Sequence, residues 1–217
     1  MTVDGPAAAG KSTVARKLAQ RLGFRYLDTG AMYRAATWKA LDAEADVEDP
    51  DELAAVTEET RIELTPDGRV LCDGRDVTEE IRTPEVTENI FHLADEPAVR
   101  EVLIEQQRRF ARDHDVVTEG RDQGTEVFPD AEVKFFLVAG LEERARRRLQ
   151  DLQRNGRDPS LREVKRQVME RDAKDRSRPV GALRKTEDMI LIDSTDMTAD
   201  QVVEAMFEEV SRRLPAS

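Results

Sequence analysis

Residues 5–13 read Gly5-Pro6-Ala7-Ala8-Ala9-Gly10-Lys11-Ser12-Thr13, and no other stretch constrains the fold of this chain as much. The spacing G-x-x-x-x-G-K-[ST] describes a turn whose backbone N–H groups point inward at phosphate oxygens. The two glycines permit the close wrap. Lys11 is placed for β- and γ-phosphates, and the Ser12 hydroxyl for a magnesium ion. Small-residue turns before helices also match this pattern by chance, so the flanks decide. Thr2-Val3-Asp4 has strand character, and Val14, Leu18 and Leu22 give the segment after Gly10 an apolar helical stripe. A strand, a phosphate loop and a helix whose positive end faces the anion predict the first unit of a layered α/β fold.

The alternation continues. Phe24-Arg25-Tyr26-Leu27-Asp28, His114-Asp115-Val116-Val117-Thr118-Glu119, Val133 to Val138 and Met189 to Asp193 read as short strands, separated by helical patterns. A doubly wound parallel sheet follows, with ligands at the carboxyl ends of its strands. One segment breaks the rhythm. Arg61 to Thr65, the turn Pro66-Asp67-Gly68, and Arg69 to Gly74 predict an antiparallel hairpin, with Asp76-Val77-Thr78 as a third strand. Residues 44–95 are therefore read as an insertion on the α/β core. Thr198 opens a closing amphipathic helix through Val202, Val203, Met206, Phe207 and Val210, and the tail from Leu214 is expected to fray.

Composition narrows the function. Of 217 residues, 37% are charged and the net charge is −12, which opposes a broad nucleic-acid surface. No apolar run approaches the roughly 20 residues of a membrane span, and no signal-like start is present, so a cytoplasmic protein is expected. The single cysteine, Cys72, excludes an internal disulfide and is read as a packing residue. His92 and His114 lack partners at metal-ligand spacing, and Tyr26, Tyr33 and Trp38 are read as core. The 34 basic residues comprise 27 Arg and 7 Lys, so the positions of the arginines carry more information than their number.

Four arginine-bearing segments follow predicted strands or cap helices. They are Leu27-Asp28-Thr29-Gly30-Ala31-Met32-Tyr33-Arg34; Pro97-Ala98-Val99-Arg100; Glu119-Gly120-Arg121-Asp122-Gln123-Gly124-Thr125; and Glu170-Arg171-Asp172-Ala173-Lys174-Asp175-Arg176-Ser177-Arg178. Glu119, at a strand end, is where phosphoryl transfer needs a carboxylate facing the metal. A fifth group, Arg144, Arg146, Arg147 and Arg148, has Glu142, Glu143 and Asp151 within helical reach and is read as a solvated ion-pair face. The absence of an Asn-Lys-x-Asp element argues against a Ras-like GTPase. The residues alone leave open a small phosphotransferase joining two phosphate-bearing substrates, one with a different acceptor such as UMP, or a nucleotide-sensing module.

Together with Asp76-Val77-Thr78-Glu79-Glu80-Ile81-Arg82 and Val127-Phe128-Pro129-Asp130-Ala131, these motifs run in order over nearly the whole chain. In that arrangement the sequence resembles the bacterial cytidylate (CMP/dCMP) kinases, of the nucleoside monophosphate kinase type. The resemblance implies a P-loop NTPase-type parallel sheet flanked by helices: one kinase domain over residues 1–217, a small NMP-binding insert at about 44–95 and a short lid at about 154–160. It implies transfer of the γ-phosphoryl group of ATP, with Mg²⁺, to CMP or dCMP by a monomer acting without nucleic acid or membrane. ATP would lie on Gly5, Pro6, Ala7, Ala8, Ala9, Gly10, Lys11, Ser12 and Thr13, with Arg157 of the lid, and Ser194-Thr195 would lie beside adenine. CMP would lie on Thr29, Arg34, Arg100, Arg121, Asp122, Arg171, Asp175 and Arg178. Lys11, Arg121, Arg171 and Arg178 would act on the transferred charge. Ser12 and Glu119 would face the metal, Glu119 directly or through water.

Overall fold

A computed structural model describes residues 1–154 and 156–214; Asn155 of the expected lid, and Pro215, Ala216 and Ser217 of the expected frayed tail, lie outside the described residues. In chain order the elements are β1 (Thr2–Asp4), α1 (Lys11–Leu22), β2 (Arg25–Asp28), α2 (Thr29–Asp42) and α3 (Pro50–Glu59). Next come β3 (Ile62–Leu64), β4 (Val70–Cys72), β5 (Arg75–Asp76), α4 (Pro84–Asp95) and α5 (Pro97–Ala111). The chain continues through β6 (Val116–Gly120), β7 (Lys134–Val138), α6 (Leu141–Arg154), α7 (Leu161–Ser177), β8 (Ile190–Asp193) and α8 (Ala199–Arg213). Two compact units result, one formed by Met1–Phe24 with Val117–Ser217 and the other by Arg25–Val116.

The first unit is the layered α/β body. β1 pairs in parallel with β6 on one side and β7 on the other, and β7 pairs in parallel with β8. Thr2, Val3 and Asp4 are fully buried, as expected of a strand flanked on both edges and covered on both faces. Each strand except β6 is followed by an α-helix. β6 runs into a single π-turn at Gln123–Val127, and Asp4 accepts from the N–H groups of Gln123 (2.9 Å) and Gly124 (2.7 Å). α7 and α8 begin with reciprocal capping boxes, Ser160 with Glu163 and Thr198 with Gln201, so the cap expected at Thr198 is present. Val14 and Leu18 are buried, and Leu22 is half-buried.

The second unit is organised by alanine. On α2, Ala36 and Ala40 pack with Leu53, Leu93, Val99 and Leu103 from α3, α4 and α5. Ala31 and Ala35 meet Val70, Cys72, Val77 and Ile81. Small side chains on two faces let helices approach from one side and a sheet from the other. That sheet is antiparallel, in the order β3-β4-β5, with Ile62 opposite Cys72 and Leu64 opposite Val70. The expected hairpin is present, turning through Thr65 to Arg69, and its third strand is Arg75–Asp76, after which Val77 adds one further bond to Val70. Cys72 packs in this core, where burial pushes its thiol up to about 11. Proline opens α3, α4 and α5, behind the caps Asp49, Thr83 and Glu96.

Candidate active site

The phosphate loop joins β1 to α1. Gly5 is required by contact: a Cβ there would stand 2.0 Å from the carbonyl oxygen of Leu137 on β7. Gly10 takes φ 93° at the entry to α1, and Ala8 is also left-handed at φ 59°. Three carbonyls of the loop are met by cations. Lys11 Nζ donates to Pro6 O (2.9 Å), Arg144 Nη1 to Ala7 O (3.1 Å) and Arg147 Nη1 to Ala9 O (3.2 Å). Lys11 is 5% exposed. Burial first, and then the positive charge of Arg121, lower its pKa to about 7, although Glu119 acts in the other direction.

At the carboxyl end of β6, buried Glu119 accepts from the Ser12 hydroxyl at 2.7 Å. The two residues expected at the metal are thus in contact. Beyond Glu119, Arg121 Nε donates to Asp175 Oδ2 at 2.6 Å, and Arg178 Nη2 stands 3.5 Å from Asp175 Oδ1. Burial opposes charge on Arg121, but the Asp175 carboxylate outweighs it and holds the guanidinium above its usual range. Burial likewise pushes Asp175 up, while Arg121 first, and then Arg171 and Arg178, pull it below the usual carboxylate range. The charge of Arg171 also acts on Lys11, so α7 and the phosphate loop share one electrostatic field. Asp122 is buried, and its carbonyl accepts from three N–H groups of the π-turn.

The remaining candidates are placed as follows. Arg157 lies on the exposed turn before α7, its backbone N–H bonded to Leu152 O. Ser194 and Thr195 follow β8; Ser194 Oγ contacts Ala9 O (3.3 Å), and Thr195 accepts from the Gly140 N–H. In the second unit, buried Thr29 is the first residue of α2. Arg34, one turn on, donates through Nη1 to Thr87 Oγ1 (2.9 Å) and Ile81 O (3.2 Å). Arg100 is 3% exposed and donates to Ala94 O, with Tyr33 beneath its guanidinium at 5.9 Å.

One expectation is overturned. The α6 arginines do not form a uniformly solvated face: Arg146 and Arg147 do pair with Glu143, but Arg144 is buried and pairs with Asp172 on α7 at 2.8 Å. The signal was available, because Arg144 falls on the helical stripe of Leu141, Ala145 and Leu152. Its partner lies 28 positions away, beyond the reach of the i,i+4 rule. Sequence reasoning also missed Asp4. Burial, reinforced by the charge of Asp122, raises that carboxyl to about 6 against the pull of its two backbone donors.

A family model described as cytidylate kinase matches residues 1–212. A cytidylate kinase of Rhodopirellula baltica is 48% identical over 217 residues, covering 100% of this chain and 94% of that protein. Another, from Caldanaerobacter subterraneus, is 46% identical over 212 residues, covering 98% and 94%. Among solved structures, an uncharacterized protein from Eubacterium ventriosum aligns over 98% of this chain and 97% of its own at TM-score 0.50 and 14% identity, a likeness of fold alone. With its phosphate loop, its strand-end carboxylate and a family match over nearly its full length, this chain belongs to the cytidylate kinase family.

Proposed function

We propose that the protein transfers the γ-phosphoryl group of ATP to CMP or dCMP, releasing ADP and CDP or dCDP. The observation that carries this reading is the charge arrangement of the first unit: Lys11 on the phosphate loop, Ser12 against Glu119, and the Arg121–Asp175–Arg178 cluster within the field of Lys11. A site that only binds ATP has no use for a second set of cations. In-line transfer between two anions asks for positioning and charge neutralisation, and the acceptor is already an oxyanion, so no strong base is needed.

Each residue then has a task. The loop N–H groups and Lys11 hold the β- and γ-phosphates, with Lys11 leaving Pro6 O for phosphate oxygen. There the anion favours its charged form and offsets the burial that depresses it. Ser12 and Glu119 are hard oxygen donors 2.7 Å apart and suit Mg²⁺, which takes one or two protein oxygens and fills its shell from phosphates and water. Held there, the ion would supply charge neutralisation at phosphate oxygens. Arg121, Arg171 and Arg178 bind the acceptor phosphate and the transferred group. Thr29, Arg34 and Arg100 are assigned to CMP, and Arg157 to ATP. Asp122 accepts from the cytosine amino group, where uracil presents a carbonyl instead, and Asp175 takes the ribose. Residues 44–95 serve as the NMP-binding insert and 154–160 as the lid.

Among the described residues no helix is long and apolar enough to cross a membrane. The proposal is of a cytoplasmic monomer that works on free nucleotides. A coupled ADP-release assay over CMP, dCMP, UMP, AMP and GMP tests it. CMP and dCMP should be turned over at least tenfold more efficiently than the others. Preferred turnover of another acceptor, or ADP release independent of any acceptor, contradicts it.

A further inference from the structure

A loop that aims its N–H groups at phosphate must turn carbonyls outward, and each buried carbonyl needs a donor. In this chain two of these donors are arginines one turn apart on α6. Arg144 spends Nε on Ala139 O (3.0 Å) and Nη1 on Ala7 O and on Asp172 Oδ2. Arg147 spends Nε on Glu143, Nη1 on Ala9 O and on Ser194 Oγ (3.1 Å), and Nη2 on Ser194 O (2.7 Å). Each guanidinium therefore joins the phosphate loop to another element, α7 in one case and the turn after β8 in the other. Only a planar fork of donors makes such a junction; a lysine ammonium is a point charge.

We infer that Arg144 and Arg147 are positioning residues of the phosphate loop, and that the Asp172–Arg144–Ala7 chain sets its spacing from the arginines of α7. Asp172 adjoins Arg171 and lies one turn before Asp175, so the bridge runs from the helix assigned to the acceptor phosphate to the backbone assigned to ATP. Stability does not explain the pair. Among the described residues Asp172 Oδ1 is buried without a hydrogen-bond partner, and an apolar pair of the same volume serves packing equally well. What an apolar pair cannot do is hold the Ala7 carbonyl. An error in this spacing is felt most when the two anions are brought together, so its loss lowers kcat more than it raises the KM for CMP.

This inference rests on the proposed ATP-to-CMP transfer. The test is a double-mutant cycle of Arg144→Gln and Asp172→Asn, with kinetics at 20 °C and thermal unfolding recorded with and without MgATP. Each single variant and the double variant should lose at least tenfold in kcat to a similar extent, because one bridge is broken once, while the KM for CMP stays within twofold. Folded variants with wild-type kcat, or losses that multiply in the double variant, overturn the inference. If these variants do not fold, Arg147→Lys and Ser194→Ala decide: kcat/KM for ATP should fall about tenfold, and wild-type values overturn it. A wild-type protein inactive on CMP sinks the functional reading instead. In that case the MgATP-induced rise in unfolding temperature reports on the brace: a smaller rise in the variants supports it, and an equal rise overturns it.

Discussion

The two compact units differ in how much paired charge they bury. In the first, two ion pairs are buried, Arg144 with Asp172 at 8% and 9% side-chain exposure and Arg121 with Asp175 at 16% and 3%, while others such as Lys17 with Asp200 and Arg166 with Glu170 stay at the surface. In the second, pairs such as Arg69 with Asp67 and Arg75 with Asp42 stay near half exposed, and the apolar clusters are built mainly of alanine, leucine and valine, with Arg100 buried and donating to the Ala94 carbonyl. Exposed pairs gain little from each other, because water screens them and holding two long side chains costs entropy. A buried pair is held against a desolvation penalty, so its presence calls for a purpose other than stability. The chain is rich in arginine throughout, and burial marks out Arg144 and Arg121 as arginines whose charge the fold itself has to meet.

The largest expected break in this contrast is kinetic. Arg121→Ala should lower kcat by roughly 10³-fold or more, the scale of an arginine acting on phosphoryl-transfer charge. Arg34→Ala, in the second unit, should cost at least tenfold in kcat/KM for CMP, chiefly through KM. Initial rates with each substrate varied separate the two, and equal effects of both on kcat erase the distinction.

Stability gives the next effect. Asp172→Ala leaves Arg144 buried without its carboxylate and should cost about 3–5 kcal/mol, a drop of roughly 10 °C in unfolding temperature. Arg69→Ala, in an exposed pair, should leave that temperature unchanged. A calorimetric scan of both variants checks the contrast.

A smaller effect depends on pH. The folded Asp4 carboxyl keeps its proton to about pH 6, whereas the unfolded group releases it near pH 4, so between these values the native state binds more protons. Stability from this group is therefore full below about pH 4 and is lost as pH rises through 6. Asp188, lowered to about 2 by its hydrogen bond from Lys134, acts in the opposite direction: its contribution is lost as pH falls below 4. Relative to wild type, Asp4→Asn should be less destabilising at pH 7 than at pH 4.5 by about 2 kcal/mol. Urea unfolding at the two values measures this, and a pH-independent difference refutes the assignment.

Much of the molecule was legible because its signals are local. Gly5 to Thr13 announce a loop by spacing, Pro66-Asp67-Gly68 announces a turn, and Thr198 announces a helix start. Glu119 was found by its place at a strand end, and its contact with Ser12 spans 107 positions that topology alone brings together. Arg144 and Asp4 escaped for a common reason. Each takes its environment from distant backbone, the Ala7 carbonyl for one and the Gln123 and Gly124 N–H groups for the other. Charged residues on a helix face or a strand end look solvated until the fold buries them.

The central claim is that phosphate passes from the nucleotide on Lys11 and Ser12 to a cytidine monophosphate. The most direct measurement is incubation with γ-labelled ATP, Mg²⁺ and CMP, followed by chromatography of the products. Label appearing in CDP in proportion to ADP formed is the expected result; label in inorganic phosphate, or retained in ATP while the folded protein is present, contradicts the claim.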